Sequence, residues 1–364
     1  MMGDPVREVR HPHHPEPRDR SARGRLWGYG RGSRGPSRPA LTLLVLGGLV
    51  VAACLLSLNL GFIRIGPLEV LQTFLGQGTD QQELVLYQFR LPRIVLALLV
   101  GVSLALSGSI LQGVAQNGLA DPGILGINAG AGVAVVALLY FTAAGTAPAF
   151  ALPAAAFVGA AGAAVLIYAF AYKGGTVTPG RLLLVGIAVN AGLGAAMLVL
   201  SLRLDQQLYS YAVAWLEGTI AGTSWRYVVA LLPWTALLAP LAFAKARTLN
   251  VLNLGENVAT GLGAGVERQR LLLVGIAVAL AGSAVAVSGG IGFVGLVAPH
   301  LARRLVGPNH RVMLPAAALS GALLLVIADT LARNLFAPVE LPVGIVVAAI
   351  GAPYFLFLLA RTGP

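Results

Sequence analysis

Apolar runs about twenty residues long alternate with short polar segments over most of the chain. The first is 41–60, and others follow at 92–114, 123–143, 147–172, 181–202, 227–244, 271–289, 291–306, 312–332 and 342–360. A membrane-spanning helix needs roughly 20 apolar residues. The pattern therefore predicts an all-α, polytopic transmembrane bundle of about ten spans. The eighth run is short and glycine-rich, so its ends are poorly marked. The first is too long for a signal-peptide core and has no convincing cleavage site after it, so it reads as a span. Two intervals do not fit the spanning pattern. Residues 204–226 carry Trp215 and Trp225, side chains suited to a membrane surface. Residues 246–270 form a short amphipathic piece interrupted by glycines.

Composition points the same way. Of 364 residues, 57% are hydrophobic and 11% charged, whereas a soluble domain carries about a quarter charged residues. The 46 glycines would weaken helices in water, but in lipid small residues let helix backbones approach closely. The net charge of +11 is unevenly placed. Residues 1–39 hold nine arginines and four acids, with almost no apolar periodicity. Such a segment buries too little surface to offset its ordering entropy. It is expected to be a disordered basic cytoplasmic tail, followed by one transmembrane domain over 40–362. His11, His13 and His14 read as part of that solvated tail rather than as a metal site.

With the N-terminus inside, nineteen basic residues fall on the cytoplasmic side and six outside. That asymmetry supports ten spans with both ends inside, at a multi-pass cell membrane. It also explains the basic tail without nucleic acid. Cys54 is the only cysteine, so no intrachain disulfide or thiolate metal cluster can form.

Several chemistries are missing. The two lysines are Lys173, followed by Gly174, and Lys245, followed by Ala246. Neither closes a phosphate-binding loop, which needs Gly-Lys-Ser/Thr. The chain is therefore not expected to hydrolyse ATP. No His-Glu-x-x-His pair occurs, and no catalytic cluster can be assembled, which argues against an intramembrane enzyme. His300 stands alone near a helix end and reads as a structural hydrogen-bonder. No metal or cofactor is expected. The spans are almost free of charge, which counts against an ion-coupled carrier with midplane charges. Asp329 and Arg333 share a helix face one turn apart and read as a helix-end ion pair.

Three ordered stretches carry a resemblance. The first runs from Arg90-Leu-Pro-Arg93 through Gln112 to Asn117-Gly-Leu-Ala-Asp121-Pro122-Gly-Ile-Leu-Gly126. The second is Leu254-Gly-Glu256-Asn-Val-Ala259-Thr-Gly-Leu262-Gly263. The third begins Gly292-Phe-Val-Gly-Leu-Val-Ala-Pro299-His300 and continues through Gly307-Pro-Asn-His310-Arg311, Ala328-Asp329-Thr-Leu-Ala-Arg333 and Glu340-Leu-Pro342-Val-Gly344. In that order they resemble the FecCD-type permeases of binding-protein-dependent ABC importers for ferric siderophores, haem and cobalamin. The likeness covers roughly 41–362.

The resemblance implies ten helices per subunit and a path enclosed with a second permease subunit, identical or not. It also implies a cytosolic ABC ATPase dimer and an extracytoplasmic substrate-binding protein; membrane lipid is the remaining partner. A ferric siderophore is the expected cargo, ahead of haem or cobalamin. The 248–266 segment would dock on the ATPase through Leu254, Gly255, Glu256, Ala259, Leu262 and Gly263. Its leucines, Leu252 among them, would supply apolar contact with Val258, and its glycines the turns. Arg90, Arg93 and Arg333 would face acidic residues of the binding protein, bidentate pairing being the strength of the guanidinium. The other reading is interfacial arginines paired with lipid phosphate or with Asp329 and Glu340. The fifth span would line the path, with Asn190 at its centre and a cytoplasmic gate near Thr178 and Pro179. Asn190 could equally satisfy a neighbouring backbone group. Here the chain departs from the cobalamin relative, which has hydroxyl residues where Pro179 and Gly180 stand. The alternative function is a secondary carrier or channel that works without an ATPase.

Overall fold

The computed structural model describes residues 37–61, 65–142, 150–174, 177–262 and 265–361. The expected basic tail therefore lies outside the described residues up to residue 36, as do Arg64, Thr176 and Gly263. The described residues form an all-α bundle.

The chain opens with α1 (Ser37–Asn59), followed by the short α2 (Pro67–Phe74) and α3 (Asp80–Glu83). From α3 it passes through a π-helical turn (Leu84–Arg90) into α4 (Leu91–Ala115). A 3-10 turn (Pro122–Leu125) leads to α5 (Ile127–Phe141), α6 (Ala151–Ala171) and α7 (Pro179–Ser201). Then come α8 (Gln206–Leu216), α9 (Trp225–Ala244), α10 (Ala246–Leu252), α11 (Glu256–Gly261) and α12 (Val266–Ser288). The chain closes with α13 (Val294–Val306), α14 (His310–Asn334) and α15 (Val343–Arg361).

Every apolar run predicts a helix that is present. Among the described residues, seven helices are long and apolar enough to cross a membrane. α5 and α15 are apolar but shorter, and α13 has 13 residues.

Two boundaries differ from the expectation, each for a local reason. The second span begins at Asp80 rather than 92 and runs 36 residues to Ala115. Charged Arg90 and Arg93 end the hydropathy signal, yet both side chains are buried and the helix passes through them. Pro92 cannot donate to the preceding turn and would crowd its carbonyls, and the wider π turn just before it absorbs that misfit. The third span splits. Asp121 accepts from the Gly123 amide at 2.8 Å and caps the 3-10 turn. Gly126 at φ +71° then reaches a left-handed conformation that favours glycine, and α5 starts anew.

α4 is the most buried span. It packs against α14, α12, α13 and α9, while α5 packs on α6 and α7, and α12 joins the two groups. Close backbone crossings hold the layers together. A Cβ on Gly108 would collide with the Gly295 carbonyl of α13, and one on Gly101 with Gly321 of α14. Lipid supplies no hydrophobic drive between helices, so contact at this range is what attracts them.

Candidate functional site

Polar side chains gather at two ends of the bundle. α4 carries Arg93 in its first turn and ends just before Gln116, so a 25-residue helix, roughly 37 Å at 1.5 Å per residue, separates them.

At the first end, Arg93 donates from Nε to Asp329 Oδ1 at 2.9 Å and from Nη1 to Glu340 Oε2 at 2.8 Å. Arg333 Nε lies 3.2 Å from Asp329 Oδ2, and its Nη2 donates to Ser57 Oγ at 2.6 Å. Arg90 donates to the Leu58 carbonyl near the end of α1. Asp329 is 1% exposed and bridges two guanidiniums. A cavity of about 330 Å³ opens between Arg90, Arg93, Arg333, Glu340, Gly222 and Thr223. The three predicted arginines do come together, but they spend their donors largely inside the protein. Arg93 and Arg333 adopt the internal pairing with Asp329 and Glu340. Three guanidiniums against two carboxylates still leave one positive charge at this mouth.

At the opposite end, α10 and α11 form a bent pair. Gly255 joins them at φ +98°, a value L side chains rarely adopt. Leu254, Val258 and Leu262 recur every four residues through α11 and its two flanks. They are 58%, 50% and 66% exposed. Leu252, expected on that apolar contact, instead turns inward, and Ala259 is fully buried. These two hold the segment against the bundle rather than offering themselves to a partner.

The anchoring is specific. Asn250 Oδ1 accepts from the His310 amide at 2.9 Å and faces the His310 ring Nδ1 at 2.8 Å. The Asn250 amide donates to Asn309 at 3.0 Å, and Gln116 donates to the Leu252 carbonyl at 2.6 Å. α10 is thus fastened to the start of α14 and the end of α4. Glu256 pairs with Arg270 Nη2 at 3.3 Å. Arg270 Nη1 donates to the Val177 carbonyl at 2.9 Å and to Glu267 at 3.2 Å.

Thr178 precedes α7 in extended conformation, with Pro179 in the first helical turn, where the missing N–H costs nothing. Asn190 does not stand free: its amide donates to the Gly123 carbonyl at 3.0 Å, the neighbouring-backbone role. α7 itself is the most exposed of the seven long spanning helices, with 6% of its apolar stretch buried.

Asn250, His310, Gln116 and Ser57 give no sign of their roles in the sequence, because their partners lie far away in the chain. Arg270 counts there only as a cytoplasmic charge. Its one local sign is Glu267 three residues earlier, a helical pairing distance.

The profile of the FecCD transport family matches residues 49–361. The chain belongs to that family. The iron(3+)-hydroxamate import system permease protein FhuG of Bacillus subtilis is 50% identical over 330 residues, 89% of this chain and 98% of FhuG. The iron-uptake system permease protein FeuC of the same organism is 40% identical over 319 residues, 86% of this chain and 95% of FeuC. Among solved structures, a metal-chelate type ABC transporter in an inward-facing conformation superposes with a TM-score of 0.77 at 31% identity. That match covers 88% of this chain and 99% of the other. This FecCD chain is a multi-pass membrane protein, and its FecCD relatives are named as permeases of import systems.

Proposed function

We propose that the chain is the membrane permease subunit of a binding-protein-dependent ABC importer for a metal chelate, with a ferric siderophore as cargo. The observation that carries this is the exposed Leu254–Val258–Leu262 stripe on a segment fastened to α4 and α14. A leucine stripe at a cytoplasmic surface is stable when covered, by the membrane surface or by a partner, and its fastening as one rigid, bent piece favours a separate ATPase as that cover. Coupling requires a segment that is locally rigid and moves as one piece. The Asn250–His310 and Gln116–Leu252 bonds supply that rigidity, and Gly255 supplies the bend. ATP is hydrolysed on the partner, and this subunit alternates between outward- and inward-open forms.

The cargo assignment is supported by the named hydroxamate and iron-uptake relatives. The exposed face of α7 suits a second permease subunit across the path, with the Thr178–Pro179 turn at its inner gate. At the outer end, the net positive arginine cluster suits acidic residues of a binding protein; of its carboxylates only Glu340, 42% exposed, reaches the surface. A carrier without an ATPase would leave the leucine stripe without purpose.

The test is co-purification from membranes of cells expressing the chain with its ATPase. The wild type should bring down ATPase in two-to-two proportion. Leu254→Arg with Leu262→Arg should reach the membrane yet keep under about a tenth of it, because two charges would be buried in an apolar contact. Retained ATPase and normal uptake in this variant, or counterflow by the lone chain in liposomes, would refute the proposal.

A further inference from the structure

Arg270 is a charged side chain that the proposed importer function leaves unused. It is 10% exposed, near the start of α12, and its donors go to three different places. Nη2 meets Glu256 on α11, Nη1 meets Glu267 on its own helix, and the same Nη1 meets the backbone carbonyl of Val177 just before α7. Glu267 is itself held from the other side by the Tyr168 hydroxyl near the end of α6, at 3.1 Å.

We infer that Arg270 is the positioning residue through which movement of the coupling segment reaches the base of α7. This rests on the reading of α10–α11 as the ATPase-docking segment. A guanidinium is planar and its donors are fixed relative to one another. Displacing Glu256 against α12 therefore turns the whole fork, and the Val177 carbonyl must follow or lose its donor. Val177 is buried, so water does not replace that donor cheaply. Thr178 and Pro179 are the next two residues. A proline at the first helical position has its φ fixed, so a pull on Val177 shifts the start of α7 as a unit instead of fraying it. Arg181 adds a second tie, donating to the Ala171 carbonyl at 3.2 Å, which keeps α7 and the end of α6 moving together. Glu256 is half solvated, at 57% exposure, and stands beside the leucine stripe. It is the member of the network that a docked partner displaces first.

A merely structural Arg270 would stabilise the fold without linking the two movements, and the experiment separates these. The full transporter, permease with ATPase, is placed in nanodiscs. The permease carries Cys54→Ala and a reporter Thr178→Cys. Its maleimide labelling rate is read without nucleotide and with the ATPase trapped by ATP and vanadate. In the Arg270-intact protein trapping should change the rate at least about fivefold, the lower range for two coupled sites. With Arg270→Gln the change should fall below about twofold while ATPase still co-purifies and hydrolyses ATP. Arg270→Lys keeps the charge and folds more readily. One ammonium cannot hold both glutamates and the Val177 carbonyl in fixed geometry, so its response should be cut at least about threefold, within the same range. If the glutamine variant fails to reach the membrane, the lysine variant decides the matter. Responses equal to the intact protein in either assembled variant overturn the inference, as does an intact protein whose rate ignores trapping. Absence of ATPase from the Arg270-intact sample would instead refute the docking reading, a failure seen before any label is added.

Discussion

Asp329 shows what a single buried charge does here. It lies between Arg93 and Arg333, almost fully enclosed, and pairs with both while cancelling one of their two charges. Breaking a buried pair by removing one partner costs more than the pair ever contributes, because the remaining charge stays desolvated. Asp329→Asn would leave three arginines facing Glu340 alone. It should destabilise the protein by about 3–5 kcal/mol. Glu340→Gln touches the same Arg93 but at a partly exposed carboxylate, and should cost under about 1 kcal/mol. Thermal unfolding in detergent should rank the two clearly, and equal losses would contradict the central place of Asp329. The Asp329–Arg333 pair is legible in the sequence, being one helical turn apart. The Arg93–Glu340 and Arg333–Ser57 bonds span 247 and 276 residues, and no local pattern announces contacts across that distance. The three arginines can be picked out in advance, but their mutual burial cannot. Asn190 is legible as a polar residue in a span, and its Gly123 partner is not.

At the scale of elements, run length locates every spanning helix, because hydropathy and helix length measure the same thing in a membrane. What it misplaces are starts and breaks. Buried arginines hide the first turns of the second span, and a glycine in left-handed conformation cuts the third. The many glycines are legible as a packing device, but their pairings are not. Gly108 faces the Gly295 carbonyl with no room for a methyl group, whereas among the described residues nothing lies within 4 Å of a Cβ on Gly47 in α1. Gly108→Ala forces α4 and α13 apart, and overpacking of this kind costs about 1–3 kcal/mol. Gly47→Ala meets no atom and removes backbone freedom, so it should be neutral or slightly stabilising. Unfolding midpoints in the same detergent test both, and a tolerated Gly108→Ala would mean that α4 and α13 cross more loosely than this contact requires. The α10–α11 segment is legible only in part. Its exposed leucines follow helical spacing, whereas Leu252 and Ala259 turn inward because Gly255 bends the chain between helices of seven and six residues.

For the whole molecule, the uneven burial of the spans says which surface is unfinished. α4 sits in the centre, but α7 is nearly bare although it packs on α5 and α6. A helix that faces only lipid has no use for small residues, yet Gly192 and Gly194 of α7 have nothing against them among the described residues. Small residues are where membrane helices meet closely. The exposed Ile187 and Leu198 should therefore lie near a second permease subunit in the assembled importer. The basic residues give an expected orientation for the chain, but no pattern in the sequence marks this bare face, because an apolar span reads the same whether lipid or protein covers it. With Cys54→Ala as background, Ile187→Cys and Leu198→Cys should each form an oxidative cross-link between two permease subunits when the transporter is assembled with its ATPase. Val158→Cys, on an exposed face of α6, should label with a lipid-soluble maleimide and form no cross-link. Each cross-link joins two copies of the cysteine-bearing chain, so a product of twice its mass marks an identical partner, and a different permease is tested with a cysteine placed at its own matching position. If both α7 cysteines label freely from the lipid and neither cross-links, α7 faces the bilayer and the path must be enclosed by other helices.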